Sequence, residues 1–272
     1  MSNATPKIEY RFIETFPEIL PIEEMQARVW GVSEIEVVPA SMMIAAITSG
    51  GVLVGAYDAD KLIGFTFGFG GFEKGMPVHH SHMLAVAAEY RGFDIGKNLK
   101  LKQRERVVKM GIEVMTWTFD PLQSLNAYFN FQKLGVVSDS YIVNFYGEVA
   151  ESFLHQNGTD RLWVEWHLNK ANSNDVCKID YSALDLNEIV PLISNDKSAG
   201  IKLTGTEALA NTSIISIEVP KNIVEIEANN FELAKLWRVQ TRKAFQVAFA
   251  QQFYVSTFIV YKNAGFYLLN RK

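Results

Sequence analysis

HSHMLAVAAEYRGFDIGKNLKLKQRERVVKMG, running from His80 to Gly111, joins a strand, a glycine-containing turn and an amphipathic helix in one continuous segment. The apolar run from His82 to Val86 reads as the strand. Leu99, Val107 and Val108 recur at helical spacing behind it, and the helix should end near Gly111, because glycine readily takes the left-handed conformation that terminates helices. A junction of this kind is an anion site. The first N–H groups of a helix have no intrahelical acceptor, and the aligned peptide dipoles add partial positive charge there, so a phosphate ester can dock on backbone alone. The turn itself reads Arg91-Gly92-Phe93-Asp94-Ile95-Gly96-Lys97.

Upstream, Ile19, Ile22, Met25 and Val29 are spaced by three or four and predict a helix over Phe16 to Trp30 with one packed face. A short helix should follow Pro39. The segment GVLVGAYDADKLIGFTFGFGG holds two apolar runs around Asp58-Ala59-Asp60-Lys61, which predicts an antiparallel hairpin whose glycines allow a bulge or a close backbone approach. Downstream, Ile112 to Phe119 reads as a strand, Leu122 to Leu134 as a helix closed by Gly135, and Val136 to Phe145 and Leu162 to Leu168 as two more strands. The polar run Asn169 to Asp175 is the candidate linker. It divides the chain into residues 1–170 and 176–272. The second part should contain a strand at Ile214 to Val219, a long helix from Phe231 to Gln252 and two closing strands that end near Leu269. The expected class is mixed α/β, a central mixed sheet flanked by helices with a C-terminal α+β extension.

With 272 residues, 48% hydrophobic and 21% charged, the sequence can bury a sizeable core. A net charge of -4 argues against nucleic acid, since phosphate-backbone binding needs clustered lysine and arginine. The basic residues from Lys97 to Lys109 do cluster, but they surround apolar helix positions and read as a solvated face. One cysteine, Cys177, excludes an internal disulfide. Together with no visible signal peptide and no apolar run near 20 residues, this points to the cytoplasm and away from a membrane.

Several motifs resemble the GNAT acyltransferases. Their pyrophosphate loop follows a strand with Arg or Gln, two residues, Gly, one residue, then Gly or Ala. Arg91 and Gly96 match, while Asp94 takes the place of the first glycine. HMLAV, WTFDPLQSLNAYFNFQKLG, YIVNFYG, DRLWVEW and the C-terminal IEVP, LAKLWRVQTR and FYLLN are similar to one branch of predicted GNAT acetyltransferases that carries a C-terminal extension. The resemblance implies an acyl-CoA-dependent N-acyltransferase with an acetyl or succinyl donor. It implies that backbone groups of Leu84, Ala85 and Val86 pair with pantetheine, and that the amides of Phe93, Asp94, Ile95, Gly96 and Lys97 hold the pyrophosphate, with Arg91 and Gly92 at the turn. The Asp94 carboxylate would repel that pyrophosphate, or would cap the helix through the same amides. The C-terminal part either closes the acceptor site or makes a homodimer.

Acyl transfer to an amine needs a base, oxyanion donors and sometimes an acid for the thiolate. His82 lies where the resemblance places the base, and it titrates near neutrality. The usual GNAT tyrosine falls at Phe131, so the nearest candidate acid is Tyr128, one helical turn earlier, with Tyr141 and Tyr146 on the next strand. Asn126 either bonds the pantetheine or holds the helix start. Ser124 and Cys177 lack a base-and-orienter set and are rejected as nucleophiles. Arg238 and Arg242, four apart on LAKLWRVQTRKAF, could fork around the carboxylate of a small-molecule amine such as an amino acid, or make ordinary salt bridges. His79, His80 and His82 lack acidic or thiolate partners, so no metal is expected. The alternative to an enzyme is a non-catalytic acyl-CoA-binding or scaffold protein, favoured if Asp94 and Phe131 disable the site.

Overall fold

The computed structural model describes residues 7–31, 33–147, 157–169, 189–196 and 200–272. They form two compact units. The first holds the described residues up to Trp117 together with 167–169, and the second holds the rest. The division falls at Trp117 and not at the polar segment 169–175, of which residues 170–175 lie outside the described set. Composition marks where polar residues cluster, whereas the units follow strand pairing and side-chain packing.

The first unit begins with β1 (Ile8–Phe12), a strand of alternating charged and uncharged residues that carries no turn signal at its ends. Helix α1 (Phe16–Trp30) has the expected bounds. Glu18 accepts a hydrogen bond from the Thr15 N–H at 3.2 Å, and Gly31 closes the helix at φ 64°. Then come α2 (Ala40–Thr48), β2 (Val52–Asp58), β3 (Lys61–Glu73), β4 (Met76–Val86), α3 (Ile95–Lys109) and β5 (Val114–Phe119). The strands lie in the order β1-β2-β3-β4-β5, antiparallel up to β4 and parallel between β4 and β5. Phe65, Phe67, Met83 and Ala85 meet Ile19, Ile22, Met25 and Met43 of α1 and α2 in one core. At Gly64 a side chain would point instead toward Ile95 and Leu99, so α3 covers the opposite face. β4 starts six residues earlier than its apolar run suggests, because the tip at Lys74 and Gly75, both at positive φ, makes β3 and β4 one long hairpin.

The second unit continues with α4 (Ser124–Tyr128), a π-helical turn over Phe129–Leu134, β6 (Val137–Ile142) and β7 (Arg161–His167). Gly135 at φ 71° ends the helical run as expected. Short strands β8 (Val190–Pro191), β9 (Ile193–Asp196) and β10 (Gly200–Leu203) precede β11 (Ile214–Pro220), α5 (Ile223–Asn229), α6 (Phe231–Ala250), β12 (Phe253–Tyr261) and β13 (Ala264–Arg271). The sheet order is β7-β6-β12-β13-β11-β8, and β9 pairs separately with β10. Two antiparallel pairs, β6 with β7 and β12 with β13, therefore meet along β6 and β12. The mixed α/β class expected from the sequence describes both units. Among the described residues no helix is long and apolar enough to cross a membrane.

Candidate active site

The last two strands of the first unit part company. β4 and β5 pair at His79 with Met115 and at His80 with Thr116, and the pairing stops there although β4 runs on to Val86 and β5 to Phe119. On β4, Leu84, Ala85 and Val86 pair with β3 through Thr66, Phe65 and Gly64, and no described residue of β5 pairs with them. Peptide groups left unpaired on one edge seek partners. An extended amide-bearing chain fits such an opening.

At the mouth of the opening β4 carries an extra residue. Phe67 pairs with Met83 and Phe69 with His80, so three steps on β4 face two on β3, which is a bulge. Gly68 makes room for it. A Cβ there would lie 2.6 Å from the His80 carbonyl oxygen and 2.5 Å from His79 Nε2. Alternation along β4 puts His80 and His82 on the same face, where both rings lie against Phe69 at 5.6 and 5.7 Å between centroids. His80 Nδ1 is 3.2 Å from Thr116 Oγ1. Burial, with lesser contributions from the charges of His82 and Lys100, lowers the His80 pKa to about 4. Desolvation by the surrounding protein also holds His82 below the ordinary histidine value, although the residue is exposed. The shift favours the neutral ring, which can accept a proton.

The opening leads to the turn before α3. Gly92 sits at φ 95° and Arg91 is exposed, its Nε donating to the Val86 carbonyl at 3.4 Å. Phe93 and Asp94 are exposed, Ile95 is buried as the first residue of α3, and Gly96 and Lys97 complete the first turn. Asp94 is the N-cap residue at φ 55°, ψ 18°, and its side chain makes no capping hydrogen bond. The expected cap is thus not formed, because a left-handed N-cap aims its side chain away from the amides that an extended N-cap would reach. The backbone also explains why a glycine fits this position in related loops: the left-handed region excludes most side chains, and Asp is among the few that enter it. Asp94→Gly should relieve this conformation and remove a charge beside the first amides of α3. A like charge at about 4 Å in water costs about 1 kcal/mol, so an anion docked on those amides should bind about fivefold more tightly in the variant, as read by calorimetric titration.

Beneath β4, on the α3 side, lies a buried polar group that the basic run Lys97 to Lys109 conceals. Lys100 and Gln103 are 2% and 0% exposed, so that run is only in part a solvated face. Lys100 Nζ donates to Ser81 Oγ at 2.8 Å and lies 3.7 Å from the centroid of the Trp117 ring. Ser81 Oγ donates to Gln103 Oε1 at 2.6 Å, and Thr66 Oγ1 donates to the Met83 carbonyl. His79 is fully buried beside them, its pKa lowered to about 3 by burial and then by the charge of Lys100. One sequence signal was available. Gln103 falls in register with Ile95, Leu99 and Val107, which marks the buried face of α3.

The remaining candidates belong to the second unit. Tyr128 and Asn126 are exposed on α4. Phe131 is buried edge-on against Phe119 and Tyr267, a packing role. Tyr141 donates to Asp160 Oδ2 at 2.7 Å and stacks on Phe245. Ser124 donates to the Pro220 carbonyl, and Cys177 lies outside the described residues. The arginine fork is not open to a substrate carboxylate. Arg238 makes a bidentate pair with Asp120, both contacts at 2.7 Å, and donates to the Asn157 carbonyl. Arg242 holds Asp160 at 2.8 and 2.9 Å. The two guanidinium groups share a helix face as spacing requires, but protein carboxylates already occupy it.

Among the described residues no group of three or more His, Cys, Asp or Glu side chains could hold a metal ion. No protein-family model and no curated protein matches this sequence. Solved structures do. The ribosomal-protein-S18-alanine N-acetyltransferase of Escherichia coli is 11% identical at a TM-score of 0.48, covering 61% of this chain and 97% of its own. A GNAT family acetyltransferase of Elizabethkingia anophelis with acetyl-CoA bound is 16% identical at 0.46, covering 59% and 98%. The IAA acetyltransferase of Bacillus cereus is 17% identical at 0.46, covering 60% and 100%. What this chain is similar to, over part of its length, is thus a set of acetyltransferases that includes the GNAT family.

Proposed function

We propose that the protein is an acyl-CoA-dependent N-acyltransferase of the GNAT type, with acetyl-CoA or succinyl-CoA as donor and a small-molecule amine as acceptor. The observation that carries this reading is the divergence of β4 from β5 after His80, which opens an unpaired strand edge leading to the turn and first amides of α3. Pantetheine amides would bond the free edge along Leu84, Ala85 and Val86, and the pyrophosphate would meet the amides from Phe93 to Lys97. The acceptor nitrogen would attack the thioester carbon directly, with His82 taking the proton and a strand N–H near Leu84 facing the oxyanion. With Arg238 and Arg242 engaged internally, nothing on that helix selects an acceptor carboxylate. The reading supported is therefore an amine, without the amino-acid restriction.

Calorimetric titration with acetyl-CoA, succinyl-CoA and free CoA, with dephospho-CoA as control, tests the site. Micromolar binding is expected, and none would remove the loop assignment. His82→Ala should lower kcat about a hundredfold while leaving CoA affinity unchanged. Because the His82 pKa is lowered, the acid limb of kcat/KM against pH should lie below the ordinary histidine value of 6.5. An undiminished rate in the variant would remove His82 as the base. A non-catalytic acyl-CoA-binding protein is the second reading, favoured by Asp94 in the loop and by Phe131 in the packed position of the usual tyrosine. Turnover with any amine separates the two.

A further inference from the structure

We propose that Lys100 is the cation that receives the departing CoA thiolate, its ammonium seated at the vertex where β4 and β5 part. The inference rests on the acyltransferase reading above, which it deepens by naming the group that receives the leaving sulfur. Ser81 and Trp117 are the first residues on each strand beyond the last pair, His80 with Thr116. Lys100 Nζ touches both, at 2.8 Å from the Ser81 hydroxyl and 3.7 Å from the Trp117 ring centroid. An ammonium between these two side chains marks the closed end of the opening. A pantetheine arm that enters from the α3 turn and follows β4 brings its sulfur to that end.

The surroundings suit an incoming anion. Lys100 is 2% exposed, and no carboxylate of the described residues pairs with it. The groups that face it are His79 and Ser81 from β4, Trp117 from β5 and, through its charge, His80. Both histidines are held neutral. Burial without a counter-charge pushes Lys100 well below the usual lysine range, and a thiolate beside it would act in the opposite direction. A buried lysine with a single neutral hydrogen-bond acceptor is costly to keep. An anion arriving at the vertex would compensate it.

The acceptor nitrogen bonds to the thioester carbon, and the C–S bond breaks with its electron pair going to sulfur. The sulfur leaves as a thiolate paired with the Lys100 ammonium, and it takes a proton from solvent as CoA departs. The proton lost by the acceptor nitrogen goes to His82, and solvent removes it once products leave.

The test follows the ionisation of bound CoA by its thiolate absorbance across pH, in the wild-type protein and in Lys100→Met, with desulfo-CoA as the affinity control. The bound thiol should ionise about one pH unit or more below that of free CoA, a tenfold change in its acidity. Lys100→Met should return it to the free value while binding desulfo-CoA equally, and should lower turnover about a hundredfold. A bound thiol that titrates as free CoA in the wild type, or the same lowered titration in Lys100→Met, would overturn the lysine assignment and leave the acyltransferase reading standing. Absence of CoA binding by the wild type would overturn both. If Lys100→Met does not fold, the wild-type titration still decides.

Discussion

Gly96→Glu should abolish measurable CoA binding and leave the melting temperature nearly unchanged. Position 96 lies in the first turn of α3, so the new carboxylate would stand at the proposed pyrophosphate site. Like charges set against each other in an interface cost several kcal/mol, and each 1.4 kcal/mol is a tenfold loss of affinity. A loss of at least about a hundredfold is expected by calorimetry. The same residue is half-buried and early in the helix, where glutamate is well tolerated by the dipole, so the fold should persist. Unchanged CoA affinity in a folded variant would place the phosphates elsewhere.

The largest effect on stability should come from Asp120→Ala. Its carboxylate receives both Nη groups of Arg238 at 2.7 Å, and the Arg238 side chain is 5% exposed. Burial acts to discharge that guanidinium, but the charge of Asp120 and its hydrogen bonds outweigh burial and keep it protonated. Removing the carboxylate leaves a buried cation whose remaining hydrogen bond among the described residues is to the Asn157 carbonyl, with the Asp160 charge nearby. Breaking such a pair by deleting one partner typically costs about 3 to 5 kcal/mol, a large share of the stability of an ordinary domain. Denaturant unfolding should show a lower midpoint with an unchanged slope. A loss below about 1 kcal/mol would mean that water reaches Arg238 in the variant. Calorimetry with CoA on the same sample would show whether the anion site in the first unit is untouched.

Local signals were legible and long-range ones were not. The bounds of α1 follow from apolar spacing and from Gly31, and those of α6 and β11 come within two residues of the sequence expectation for the same reason. β1 escaped notice because Glu9 and Arg11 break an apolar run that is recognisable only once it pairs with β2. The strand-turn-helix from β4 to α3 is contiguous, so its elements were legible in the sequence. The glycines of β3 signalled a bulge, and it falls at Gly68, but which β4 residues it displaces depends on how β3 and β4 register. Lys100 reads as solvated wherever it stands in a basic run. The arginine spacing was legible, but its partners were not: Asp120 lies 118 positions from Arg238, and Asp160 lies 82 from Arg242.

The meeting of β6 with β12 has a bearing on how the chain is made. Gln132 bonds to Thr257, 125 positions further along, and Pro121 accepts from Tyr267, 146 positions further along. At the roughly 5 to 20 residues per second of synthesis, the α4 and β6 segment waits on the order of ten seconds for its partners. During that interval β6 is an edge with its aromatic neighbours uncovered, while every strand of the first unit's sheet has already emerged. The ribosome-bound intermediate is thus a finished first unit followed by an adhesive, half-built second one, and chaperone demand should concentrate on that interval of translation.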